Sequence, residues 1–175
     1  LWRRSYLEDF GCVMMSGRGF GESPLVDCDR LICTPGGPKI TIAALDKQTG
    51  ELIWKSTVPE LGDAGRAGAG FSSPVISTAC GVRQYVQLIG RGVIGVRASD
   101  GEFLWGYNAL ANHTANIPTP IVHNDLVFAA NGYNDGSVLL KMTKPDNGVA
   151  AEPVYTLSGS RFQNHHGGMT VLAGL

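Results

Sequence analysis

Charged residues are scarce in this chain, at 17%, and neither sign dominates, with 14 Lys and Arg against 15 Asp and Glu. The only tight basic cluster is Arg3-Arg4. Nothing resembles the basic stripe that a phosphate backbone demands, which argues against nucleic-acid binding. No apolar run approaches the roughly 18 residues of a membrane-spanning helix, so no transmembrane segment is expected. No window of ten residues free of Gly and Pro carries an i, i+3, i+4, i+7 apolar stripe, so no amphipathic helix competes for the fold.

Cysteine is sparse as well. Cys12, Cys28, Cys33 and Cys80 include no CxxC pair, and no nearby histidines complete a zinc set. Two readings stand: four buried or half-buried small apolar residues, or a Cys28–Cys33 disulfide flanking one short strand. The chain opens Leu1-Trp2-Arg3-Arg4, with no initiator Met and no cleavage-site pattern, so a signal peptide is neither present nor excluded.

What the chain does have is glycine, 24 residues in all, about twice the usual share of ~7%. There is no collagen period and no low-complexity run, so the excess reads as many tight turns in a strand-rich fold. Hydrophobic residues at 43% are enough for a globular core.

The turns come in register with a repeat. Gly50-Glu51-Leu52-Ile53-Trp54 returns as Gly101-Glu102-Phe103-Leu104-Trp105. Ser23-Pro24-Leu25-Val26 returns as Ser73-Pro74-Val75-Ile76 and again as Thr119-Pro120-Ile121-Val122. Tyr155 falls where a third aromatic is due. The period is about 50 residues, and each unit holds four short runs rich in Val, Ile, Leu and aromatics, which is the pattern of β-propeller blades. The runs are 22–27, 30–34, 40–45 and 51–55, then 73–78, 84–89, 93–98 and 102–107, then 119–123, 126–130, 138–142 and 152–156. The expected fold is all-β, with three four-stranded antiparallel blades over 22–55, 73–107 and 119–156. Residues 1–6 read as the end of a preceding blade and 165–175 as the start of a further one, so a parent protein about twice this long or more is expected, since propellers run to about 4–8 blades. Gly50 and Gly101 end hairpin turns where positive φ is cheap. Trp54, Trp105 and Tyr155 are expected to lie buried across the seams between blades.

Ala44-Leu45-Asp46-Lys47-Gln48-Thr49-Gly50-Glu51-Leu52-Ile53-Trp54 resembles the Ala-x-Asp-x-x-x-Gly-x-x-x-Trp docking motif of propeller repeats of the pyrroloquinoline-quinone (PQQ) type. Blade two departs from it, with Gly95 for Ala and Arg97 for Asp, and blade three keeps only Gly148 and Tyr155. Such repeats occur in quinoprotein alcohol dehydrogenases and in the propeller lipoprotein of outer-membrane assembly. The whole chain looks most like the PQQ-like repeat proteins of planctomycete-type bacteria. That resemblance implies a periplasmic or otherwise extracytoplasmic bacterial protein that binds a small-molecule or protein ligand. Two alternatives accompany it. One is a PQQ-dependent alcohol or sugar dehydrogenase, which would need PQQ and Ca²⁺; the other is a scaffold for protein assembly. The adjacent cysteines common in quinoproteins are missing, and no Asp stands before an inner strand beside an Asn and a Glu.

Ligand-binding candidates come from loops expected to gather on one propeller face. Arg91, between Gly90 and Gly92, could grip an anion with a bidentate fork. Asn116 leads into the third blade, and Glu22 leads into the first, where it could serve as a Ca²⁺ ligand or base. His165-His166 is the sharpest pair, as general base or metal ligand, although neighbours on a strand would point to opposite faces. Arg91, Asn116 and at least one of the two histidines are expected to face a common central funnel. Asp46 and Asp100 are expected to cap their turns. No catalytic residue and no metal set is assigned.

Overall fold

The computed structural model describes residues 1–145 and 148–172. Among them are three four-stranded antiparallel sheets, each formed by consecutive strands. The first contains β1 (Leu25–Asp27), β2 (Arg30–Cys33), β3 (Ile42–Asp46) and β4 (Leu52–Ser56). The second contains β5 (Val75–Ser77), β6 (Gln84–Ile89), β7 (Gly92–Arg97) and β8 (Phe103–Tyr107). The third contains β9 (Ile121–His123), β10 (Leu126–Asn131), β11 (Gly136–Thr143) and β12 (Ala150–Leu157). Among the described residues the helical content is one five-residue helix, α1 (Tyr6–Phe10), and a single 3-10 turn, Ala79–Gly81. The chain is therefore an all-β arc of three propeller blades, as its period of about 50 implies.

Register shows that the repeat is structural. Ala44 pairs with Trp54, Gly95 with Trp105, and Leu139 with Tyr155. The register then slips by a bulge at Ala44/Leu45, Gly95/Val96 and Leu139/Leu140. One bulge at one place in every blade turns the fourth strand so that its aromatic is aimed out of the sheet.

The seams show why Gly and Trp recur together. Trp54 lies over the turn of the next blade and donates its indole N–H to the Ala98 carbonyl at 3.2 Å. Trp2 does the same one blade earlier, donating to the Lys47 carbonyl at 3.0 Å. Gly50 (φ 74°) and Gly101 (φ 77°) sit directly under these rings, where a methyl group would run into the indole. Glycine is thus needed twice over at each turn, for its backbone angle and for the ring's approach.

Residues 1–5 form no strand, although Trp2 holds the docking position expected of one. Trp2, Tyr6 and Phe10 cover Cys33, Ala43 and Leu45 on the near face of blade one. Residues 165–172 form no strand either, and 173–175, the rest of that expected blade start, lie outside the described residues, as does Asn147 of the expected Asn147-Gly148 turn.

Trp54 and Trp105 are buried, at 8% and 4% exposure. Tyr155 is not: it keeps 43% of its surface, against expectation. Its register is right, but among the described residues no following turn with a glycine lies over it. Trp105 departs in a second way. Its N–H donates at 2.6 Å to Gln84 Oε1 within its own blade. The connection that follows β11 in blade three spans 144–149, longer than the turns that receive Trp2 and Trp54. Gly95 stands where blade one has Ala44, and a methyl there would meet the Trp105 indole and Gln84.

The four cysteines are free. Cys28 is exposed in the β1–β2 turn while Cys33 is buried at the far end of β2. The extended strand Arg30–Cys33, rising about 3.3 Å per residue, carries Cys33 away from the turn that holds Cys28, beyond the ~7 Å limit of a disulfide, so that pairing is ruled out. Burial pushes the Cys33 thiol up to about 12.

Candidate functional site

Antiparallel order sorts the loops onto two faces. One, here the upper face, carries the lead-ins to the first strands, the turns between second and third strands, and the ends of the fourth strands. The lower face carries the remaining turns.

On the upper face the seams are stitched by polar groups. The Ser23 backbone N–H donates to Ser73 Oγ at 2.9 Å, and the Ser73 N–H donates to Thr119 Oγ1 at 3.0 Å. These are the three hydroxyl residues that precede proline in the repeat, so that motif spans blades rather than serving a ligand. Glu22 joins the same stitching. Its Oε1 accepts from the Tyr6 hydroxyl at 2.8 Å and the Thr34 N–H at 2.7 Å, and its Oε2 accepts from Gln87 Nε2 at 3.2 Å. Burial, then the Glu22 carboxylate, pushes the Tyr6 hydroxyl well above the usual phenol range.

Asn116 is completely buried. Its Nδ2 donates to the Ile89 and Gly90 carbonyls at 2.9 and 3.0 Å, and its Oδ1 accepts from the Asn112 N–H at 3.0 Å and from Asn131 Nδ2 at 2.6 Å. Every polar atom of its side chain is engaged, and it anchors the lead-in to blade three against blade two.

His165 and His166 are both exposed and lie outside any strand. Their ring centroids are 6.3 Å apart. His165 packs edge-on against Tyr133 at 4.8 Å, and its Nε2 accepts the Tyr133 N–H at 3.3 Å. His166 borders a separate cleft of 320 Å³ with Pro118 and Pro120.

Arg91 has the richest surroundings. It sits on the two-residue turn between β6 and β7, whose backbone is pinned on both sides. The Gly90 N–H donates to Gly68 O at 2.9 Å, and Asn108 Nδ2 donates to Arg91 O at 2.7 Å. The side chain donates through Nη1 to Gly62 O at 3.1 Å. Its Nε is buried, has no hydrogen-bond partner, and lies 3.6 Å from Glu60 Oε1. The arginine forms one wall of a 280 Å³ cavity between blades one and two, with Gly36, Gly37, Pro38, Val58 and Glu60 among the others. That volume is near the lower end of the ~300–1,000 Å³ typical of small-ligand sites.

The five upper-face candidates are not gathered around one funnel, although Asn116 bonds to the Gly90 carbonyl beside Arg91. Arg91 faces its own cavity, Asn116 is interior, and the histidines contact blade three and its following loop. Glu60 was missed from the sequence because it lies in the patternless connection after blade one; its only signal was a carboxylate among Val58-Pro59-Glu60-Leu61.

A larger cleft, of 680 Å³, opens on the lower face among Asp27, Cys28, Arg30, Arg83 and Ser99. Its charges are already matched within the protein. Arg83 grips Asp27 by two bonds, Nη2 to Oδ1 at 2.7 Å and Nε to Oδ2 at 3.3 Å, and Tyr85 donates to Oδ2 at 2.7 Å. Arg30 is bound to the Ala98 carbonyl, and Arg97 is paired with Asp100 and Glu102. Asp46 and Asp100 cap their turns: Asp46 Oδ1 accepts from the Gln48 and Thr49 N–H groups, both at 2.8 Å, and Asp100 Oδ1 accepts from Glu102 N–H at 3.0 Å.

A family model described as outer membrane protein assembly factor BamB matches residues 11–161. The chain belongs to that family of PQQ-like propeller repeats. No curated protein matches it. The repeat's name raises PQQ and its Ca²⁺, and the candidate oxygen donors do not fit that ion. Calcium takes 6–8 oxygen ligands. Glu22 and Asn116 stand in different networks, and their oxygens already accept the protein's own hydrogen bonds. Among the described residues no three His, Cys, Asp or Glu side chains are grouped to hold a metal. Among the described residues no helix is long and apolar enough to cross a membrane.

Proposed function

We propose that this PQQ-like propeller is an exported binding module whose ligand or protein partner docks on the upper face, with Arg91 as the group that reads an anionic feature. The observation that carries this reading is the contrast among the candidate residues. Glu22 and Asn116 spend their polar atoms on holding blades together. Arg91 keeps a buried Nε without a hydrogen-bond partner at the wall of a cavity. A guanidinium fork of that kind suits bidentate recognition of an anion. The family description, an outer-membrane assembly factor, supports an extracytoplasmic location and favours a second form of the reading, in which the occupant is part of a protein and the propeller acts as an assembly scaffold.

The competing reading is a quinone-dependent dehydrogenase, and one experiment separates the two. PQQ is titrated with Ca²⁺ while tryptophan fluorescence is followed, and an alcohol is then supplied with an artificial electron acceptor. The binding module leaves the fluorescence unchanged and the acceptor oxidised. Tight PQQ binding that is lost in Arg91→Ala would overturn the proposal.

A further inference from the structure

The cavity beside Arg91 contains a carboxylate that belongs to the protein. Glu60 Oε1 stands 3.6 Å from Arg91 Nε, just outside hydrogen-bond range. The Glu60 side chain is 74% exposed, whereas the Arg91 side chain is 28% exposed. A fixed cation thus meets a carboxylate that is free to swing into solvent. Exposed pairs of this kind hold weakly, so a better-seated carboxylate can displace Glu60. Arg91 Nη1 is already committed to the Gly62 carbonyl, which fixes the fork, while Nε is covered from solvent and has no hydrogen-bond partner. The rest of the wall is mainly apolar, including Val13, Pro38, Val58 and Ile89. Two of the lining glycine N–H groups that could have received a phosphate are taken: Gly36 N–H donates to Thr41 O at 3.0 Å and Gly37 N–H to Ile40 O at 2.9 Å. One guanidinium edge in an apolar surround matches a single carboxylate on a branched hydrocarbon body, rather than a multiply charged phosphate.

We infer that the cavity between blades one and two is a carboxylate site, that its ligand has a short branched apolar body, and that Glu60 is a displaceable internal stand-in for that ligand. This deepens the proposed function and rests on it. Two sources share the chemistry, a free branched-chain carboxylic acid and the C-terminus of a peptide ending in a small apolar residue.

The test follows the Arg91 Nε–H resonance of the intact protein by NMR during titration with sodium isovalerate and with isovaleramide. Two further titrations use alanyl-alanyl-valine with a free and with an amidated C-terminus. The acid, or the free-ended peptide, is expected to shift the resonance saturably while its amide does not; which of the two binds more tightly identifies the source. Arg91→Ala, which lacks that resonance and is followed instead through the backbone amides of Gly90 and Gly92, should weaken binding by about tenfold or more, as expected on losing a charge-assisted pair. Glu60→Gln should tighten binding several-fold by removing the competitor, an effect that a merely structural Glu60 would not produce. Thermal scans of both variants establish that they remain folded; if Arg91→Ala does not fold, the Glu60→Gln comparison still decides. Equal binding of acid and amide, or no tightening in Glu60→Gln, overturns the carboxylate site while leaving a binding module intact. Binding of PQQ with Ca²⁺ in place of all four probes overturns both.

Discussion

Trp54 and Tyr155 occupy the same register in their blades, each paired with the third strand just before the bulge, yet one is buried and the other open. The difference is the partner. Trp54 lies between its own sheet and the Gly101 turn of blade two, stacked 6.1 Å from Tyr85. Tyr155 has no such turn over it among the described residues. Trp54→Ala is therefore expected to cost about 3–5 kcal/mol, the range for truncating a large buried aromatic. Tyr155→Ala should cost under about 1 kcal/mol, in keeping with substitution at a surface away from such features. Chemical denaturation of the two variants side by side checks this; equal losses would mean that register, rather than the covering turn, sets the energy. The sequence made the equivalence of these positions legible. It could not show the exposure, because burial depends on what lies opposite in space.

At the scale of the element, each seam combines an apolar core with a few polar stitches. Between blades one and two, Ile32, Ile42 and Ala44 meet Tyr85, Ile94 and Val96. On the lower face the Asp27 carboxylate of β1 binds Arg83 and Tyr85 of blade two. The Arg83 bond holds the Asp27 carboxyl below the usual carboxylate range, with the Tyr85 bond helping and burial opposing. A carboxyl lowered in the native state stabilises fully above its unfolded pKa of about 3.9, and that contribution is lost as pH falls through the native value. The protein should thus lose part of its stability only below about pH 4. Asp27→Asn should be less stable at neutral pH and should show a shallower acid loss. Urea midpoints across an acid series measure it, and parallel pH profiles for the two proteins would remove Asp27 from the account. None of these three residues was singled out in the sequence. Asp27 ends the run 22–27, and Arg83 and Tyr85 lie more than fifty positions away.

Across the whole molecule, the two faces of the arc are unequal. The near face of blade one is covered by Trp2, Tyr6 and Phe10. On the far face of blade three, Ile121, Phe128, Leu139 and Tyr155 form one row across the sheet by register. Only Phe128 has a described aromatic cover, Phe162, at 5.7 Å. Open apolar faces of repeat arrays favour association. The chain is expected to sediment as concentration-dependent assemblies, and Tyr155→Lys should shift it toward monomer. A monodisperse, cooperatively unfolding monomer over a wide concentration range would contradict this.

Local chemistry recurring along the chain was enough to establish the blades. A strand alternates its side chains every two residues, a tight turn asks for glycine, and a spacing of about 50 residues repeats the set, so strands, turns and three blades could be read before any fold was known. The candidate site was different. Glu22, Asn116, His165 and His166 have the right side chains for ligand chemistry, and only the packed structure decided that Glu22 and Asn116 stitch the seams and that the histidines stand apart from Arg91. Only the tertiary structure placed Glu60 beside Arg91, because two residues some thirty positions apart on different elements meet through the path of a loop, and a loop without periodicity leaves no trace of its path in the sequence.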